Sequence, residues 1–246
     1  MAMAQVESAN TVGFTTKSIS ADTFYLYGIQ FEKVGTGTGS IELGDLVSMS
    51  GIVACQFSKM NTDAAQIQFL NGNSYTPYYY ISDAYDADEN EVEGWADQNG
   101  DLADSAINIG KGFWFKAPAA AISGTASLTL NGQVSGNASG AVAFTANTFV
   151  LGANPFPIAT DLNAQTVSGI VACKFDKMNT DAAQIQVLNG NSYTPYYYIS
   201  DAYDADENEV EGWANQNGDL VEGGVIPVGA GFWVKSPTAG SITFSL

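Results

Sequence analysis

Short stretches in which apolar and polar residues alternate recur along the chain, broken every few positions by Gly, Asn, Asp or Pro. Period-two alternation marks a strand with one face in a core and the other in water. In Gln66-Ile-Gln-Phe-Leu70, Gln66 and Gln68 alternate with Ile67 and Phe69, and Asn71-Gly72 follows, which predicts a half-buried strand entering a hairpin. Phe113-Trp-Phe-Lys116, Ser127-Leu-Thr-Leu130 and Ser241-Ile-Thr-Phe-Ser-Leu246 read the same way. Ile52-Val-Ala-Cys-Gln-Phe57 predicts a strand with Val53, Cys55 and Phe57 on one apolar face. The only helix expected is a turn or two around Ser58 to Ala65 and its counterpart Asp176 to Ala183. Segments this short, rich in Val, Ile, Thr, Tyr, Phe and Trp, predict an all-β fold, packed as a sandwich or barrel.

The pattern also repeats on a longer scale. Lys59 to Leu102 recurs as Lys177 to Leu220 at an offset of 118 residues, and only Phe69/Val187 and Asp97/Asn215 differ. The match extends outward to Ser50–Cys55 against Ser168–Cys173, Gly112–Lys116 against Gly231–Lys235, and Thr23–Phe31 against Thr148–Phe156. Two tandem homologous β-sandwich or barrel-like modules are expected, residues 1–130 and 131–246, with a turn at Asn131-Gly132 between them.

Charge narrows the partners. Acidic residues outnumber basic ones 26 to 8, for a net charge of -18, and every basic residue is a lysine. A grip on nucleic acid or anionic lipid needs the opposite field. Without histidine or arginine the chain has no Ser-His-Asp or Cys-His machinery, no His-ligated zinc and no bidentate arginine clamp. No apolar run reaches the roughly 20 residues of a helical membrane span, and Met1–Gln5 lacks the features of a signal peptide, so the start reads as a mature end.

Two constellations carry candidate chemistry. Fifteen of the 26 carboxylates crowd into Asp83–Asp101 and Asp201–Asp219. There Asp86, Asp88, Asn90 and Asp97, with Asp204, Asp206 and Asn208, offer oxygens at alternate positions, a spacing that suits calcium. The loop departs from an EF-hand, with Glu91 or Glu209 at the sixth position and Asp97 or Asn215 at the twelfth, and a solvated acidic loop is the competing reading. The second constellation is aromatic: Tyr78, Tyr80, Tyr85 and Trp95, repeated as Tyr196, Tyr198, Tyr203 and Trp213, beside carboxylates and amides. Flat rings next to polar groups suit the C–H faces and hydroxyls of a sugar. Alternation sets Tyr78 and Tyr80 on one strand face and Tyr79 and Ile81 on the other, so part of this cluster is expected in the core. Cys55 and Cys173 read as lone thiols at equivalent strand positions. A general acid needs an apolar enclosure, which these exposed carboxylates lack, so no catalytic residue is assigned and an enzyme is not expected.

Leu151-Gly-Ala-Asn-Pro-Phe-Pro157 followed by Ile226-Pro-Val-Gly-Ala-Gly-Phe-Trp-Val-Lys235 resembles the G-N-P-Y/F-P … I-P-x-G-x-G-F-x-V-K pattern of β-rich modules in secreted and surface proteins of Gram-negative bacteria. The resemblance spans most of the second module; the first lacks both prolines at Gly28–Phe31 and the proline before Ile109-Gly-Lys-Gly-Phe113. It implies an exported accessory protein, extracellular or on the cell surface.

Two functions fit these observations. One is a non-enzymatic structural or adhesive surface protein. It would assemble head to tail into filaments, Gln5–Phe14 of one copy pairing beside the blunt last strand, Ser241–Leu246, of another. The other is a calcium-dependent carbohydrate-binding protein with two equivalent aromatic and acidic sites.

Overall fold

A computed structural model describes residues 12–103, 106–137 and 139–245. Its first half contains β1 (Val12–Ile19), β2 (Phe24–Gly28), β3 (Ser40–Glu42), β4 (Val47–Ile52), β5 (Gln66–Asn71), β6 (Ser74–Tyr85), β7 (Glu91–Ala96), β8 (Ala106–Asn108), β9 (Gly112–Lys116) and β10 (Ile122–Gln133). The second half contains β11 (Ser139–Phe144), β12 (Val150–Ala153), β13 (Thr160–Asp161), β14 (Thr166–Ser168), β15 (Gln184–Asn189), β16 (Ser192–Tyr203), β17 (Glu209–Ala214), β18 (Gly224–Ile226), β19 (Gly231–Lys235) and β20 (Gly240–Ser245). The protein is mostly β, as the alternation predicts.

The topology repeats strand for strand. Sheets β1-β10-β4, β2-β9-β5-β6-β7 and β3-β8 in the first half answer to β11-β20-β14, β12-β19-β15-β16-β17 and β13-β18 in the second. In each half the three-stranded and five-stranded sheets share one core. Phe113, Phe115, Ile67 and Trp95 pack with Leu128 and Leu130 in the first, and Phe232, Val234, Ile185 and Trp213 with Ile242 and Phe244 in the second. The expected hairpin forms: Ile67 and Phe69 point inward, and Gly72, with φ of 60°, makes the turn that a left-handed residue needs. The one-turn helices Met60–Asp63 and Met178–Asp181 cover the other side of β6 and β16, burying Tyr79 and Ile81 with Met60, and Tyr197 and Ile199 with Met178.

Three local expectations are corrected. Asn131-Gly132 is not a turn, because β10 runs through it to Gln133 and Gly132 pairs with Gly13, so the chain crosses between halves only after Gln133. The strand expected over Ile52–Phe57 stops at Ile52, and Val53 and Phe57 are exposed rather than internal. The pairing expected between successive chains is made inside each half, where β1 lies along β10 and β11 along β20. Both β10 and β20 therefore sit in the middle of their sheets, flanked on either side. The part of the proposed docking segment before Val12, and Leu246, lie outside the described residues.

The halves meet in a reciprocal seam. The Gly28 N–H donates to the Gly229 carbonyl at 3.0 Å, and in the mirrored position the Ala153 N–H donates to the Gly110 carbonyl at 2.8 Å. Tyr27 bridges to Ala230 as Lys111 does to Gly152. Backbones this close exclude side chains: a Cβ on Gly112 would stand 2.8 Å from the Gly152 carbonyl, and one on Gly231 2.5 Å from that of Tyr27. The buried Gln30 amide ties the seam further, donating to the Phe156 carbonyl at 2.8 Å.

Candidate functional site

The seam brings the outward faces of β2, β9 and β5 beside those of β12, β19 and β15. In β9, Phe113 and Phe115 point into the core, so Trp114 between them must point out, and Trp233 does the same in β19. Cross-strand pairing sets Gln68 opposite Trp114 and Gln186 opposite Trp233. The hairpins add Tyr75 and Tyr193, and the start of β2 and the residue just before β12 add the exposed rings of Phe24 and Phe149. These residues line one groove that crosses the line between the halves. Phe24, Gln68, Tyr75, Trp114, Tyr193 and Trp233 form its middle. At one end a cavity of about 460 Å³ is completed by Asn73, Asn147 and Thr148, and at the other Asp22, Thr23 and Asn191 line a cavity of about 360 Å³.

The rings are held in place by their neighbours. Trp233 Nε1 donates to the Tyr193 hydroxyl at 3.2 Å. Phe24 meets Trp114 edge to face with centroids 6.0 Å apart, and Phe149 meets Trp233 likewise at 5.7 Å. Lys116 and Lys235 sit 5.0 and 5.1 Å from the centroids of Phe24 and Phe149. Burial in the groove raises the Tyr75 phenol above its ordinary range, the Trp114 indole acts against that rise, and Tyr193 adds to it. The lining is otherwise neutral: amides and hydroxyls alternate with rings, and Asp22 is its single carboxylate among the described residues.

The residues expected from sequence to bind a ligand lie elsewhere. Trp95 and Trp213, 3% and 0% exposed, are core residues and offer no stacking face. Tyr80 and Tyr198 pack on them at 5.4 and 5.3 Å between centroids and donate their hydroxyls to Glu93 and Glu211 at 2.5 and 2.7 Å. Burial first, and then those carboxylates, push both phenols up to about 12. Tyr78 and Tyr196 also lean on the cores, while Tyr85 and Tyr203 are exposed at the far ends of β6 and β16. The groove's own residues were reachable from sequence through Trp114, since two phenylalanines flanking it at period two assign it to the outer face.

The acidic loops are tied up in their own turns. Asp86 Oδ1 accepts from the backbone N–H of Asp88 and of Asn90, both at 2.9 Å, and Asp204 does the same with Asp206 and Asn208 at 3.0 and 2.8 Å. These bonds hold both carboxyls below the usual range. Asp97 Oδ1 likewise caps Asn99 and Asp101. Among the described residues, no three carboxylates or thiols converge on one point. Cys55 and Cys173 are free and half-buried.

No family model, no curated protein and no solved structure matches this chain.

Proposed function

We propose that this protein is a non-enzymatic carbohydrate-binding protein that holds a glycan in the groove between its halves. The observation that carries this reading is the interleaving of the Tyr75, Trp114, Tyr193 and Trp233 rings with the amides of Gln68, Gln186, Asn73 and Asn191. A pyranose ring has apolar C–H faces and a rim of hydroxyls, and it needs both kinds of partner at once. A purely apolar ligand would leave the amides unpaired, at a cost that selects against it. Glycoside hydrolysis requires two carboxyl groups flanking the bond, whereas among the described residues the groove offers Asp22 alone. The reading needs no calcium. An adhesive role outside the cell or on its surface accords with the resemblance carried by Leu151–Pro157 and Ile226–Lys235. Head-to-tail assembly has less support, because β20 is already flanked by β11 and β14.

The test is retention on immobilised polysaccharides by the wild type and by Trp114→Ala/Trp233→Ala. Each lost stacking surface is worth about 0.5–1.5 kcal/mol, so the double variant is expected to bind roughly tenfold or more weakly with its melting transition nearly intact. Equal retention by both proteins would sink the reading.

A further inference from the structure

The groove has a symmetry that its ligand cannot share. Every lining residue on one side has its repeat counterpart on the other: Gln68 and Gln186, Asn73 and Asn191, Tyr75 and Tyr193, Thr23 and Thr148, Phe24 and Phe149, Trp114 and Trp233. The exception is Asp22, whose counterpart is Asn147; both adopt φ of 58°, so the backbone is shared and only the charge differs. The reciprocal seam bonds relate the two sides by a pseudo-twofold axis. A linear glycan, by contrast, is directional, with a reducing and a non-reducing end. Turned end for end about that axis, it meets the same rings and amides, supplied by the opposite halves.

Resting on the glycan reading above, we infer that the groove holds an internal stretch of an uncharged, equatorially β-1,4-linked glycan, in either chain direction, and that Asp22 against Asn147 sets the bias between the two directions. Equatorial linkage suits a groove with Trp114 on one side of the axis and Trp233 on the other, because it yields an extended ribbon with C–H faces to offer to both. Neutrality follows from the field: the chain carries a net charge of -18, and the single charge that the described residues bring to the lining is itself negative. Lys116 and Lys235, over the lining rings of Phe24 and Phe149, carry positive charge but are far outnumbered by the 26 carboxylates of the chain.

The experiment is photo-crosslinking of the full chain with cellohexaose carrying a diazirine at its reducing end, followed by tryptic mapping. The peptides Met60–Lys111 and Met178–Lys235 are told apart by mass, and fragmentation places the label on the Gly72-Asn73 tip or the Gly190-Asn191 tip, which line opposite ends of the groove. The expected result is one label per molecule, distributed over the two tips with yields within about an order of magnitude of each other. Asp22→Asn, which removes the charge difference, is expected to bring the two yields toward equality. A hexauronate carrying the same tag is expected to label neither. Label on one tip alone, in both the wild type and Asp22→Asn, would overturn the two-way binding while leaving carbohydrate binding standing. Saturable labelling by the hexauronate would overturn the neutral-ligand assignment. Failure of cellohexaose to compete for the groove while another polysaccharide is retained through Trp114 and Trp233 would overturn the linkage assignment alone. Retention of no polysaccharide at all would bring down the carbohydrate reading itself.

Discussion

Gly28 lies so close to Ala153 that a Cβ on Gly28 would overlap the alanine methyl group. The two residues are counterparts in the repeat, so this close approach between the halves falls where the pseudo-twofold axis passes. The groove depends on this contact, because its two walls belong to different halves. Gly28→Val is therefore expected to cost about 1–3 kcal/mol or more and to weaken polysaccharide retention without touching a groove residue. Urea unfolding and affinity measurements check it, and wild-type stability in this variant would show that the seam is looser than described.

Tryptophans at two positions should part company when truncated. Trp95 is enclosed by Tyr80 and Phe115, and Trp95→Ala is expected to cost about 3–5 kcal/mol, seen as a large fall in the unfolding midpoint. Trp114 faces the groove, so Trp114→Ala should lower that midpoint far less while reducing glycan affinity. The opposite ordering of the two midpoints would reverse the assignment of core and groove.

Tyr80 and Tyr198 should ionise above the ordinary range of a phenol. Their folded values are raised from 10.0 to about 12, so the folded state holds these protons more tightly than the unfolded chain. The stability they contribute is complete below about pH 10 and is lost as pH rises through about 12. Spectrophotometric titration of phenolate should show a late phase, and Glu93→Gln with Glu211→Gln should move that phase to lower pH by removing the neighbouring negative charge. An unmoved phase would mean that burial alone is responsible.

Cys55 and Cys173 should alkylate slowly at neutral pH. Burial, and then the nearby Asp63 and Asp83 for Cys55 and Asp181 and Asp201 for Cys173, raise both thiols and deplete the reactive thiolate. Reaction with a maleimide is expected to accelerate in urea, and electrophoretic mobility to be the same with and without reductant. A native rate matching that of unfolded protein would contradict their placement.

Period-two patterning and turn residues alone specified the mostly β chain, the hairpin at Asn71-Gly72 and the one-turn helices near Met60 and Met178, because these depend on neighbours a few residues away. The long internal match likewise foretold that one topology would appear twice. Alternation assigns residues to two faces of a strand but says nothing of what covers each face. In β6 one face meets the core through Tyr78 and Tyr80 while the Met60 turn covers the other through Tyr79, so an aromatic run that reads as a binding surface is largely interior. Trp114 and Trp95 are alike in sequence terms, each on a strand beside apolar residues, yet one lines a groove and the other fills a core. The difference was made by long-range packing: Trp95 is enclosed by Tyr80 and Phe115 within the core cluster, and the Gly28–Ala153 seam leaves Trp114 open beside its counterpart from the other half.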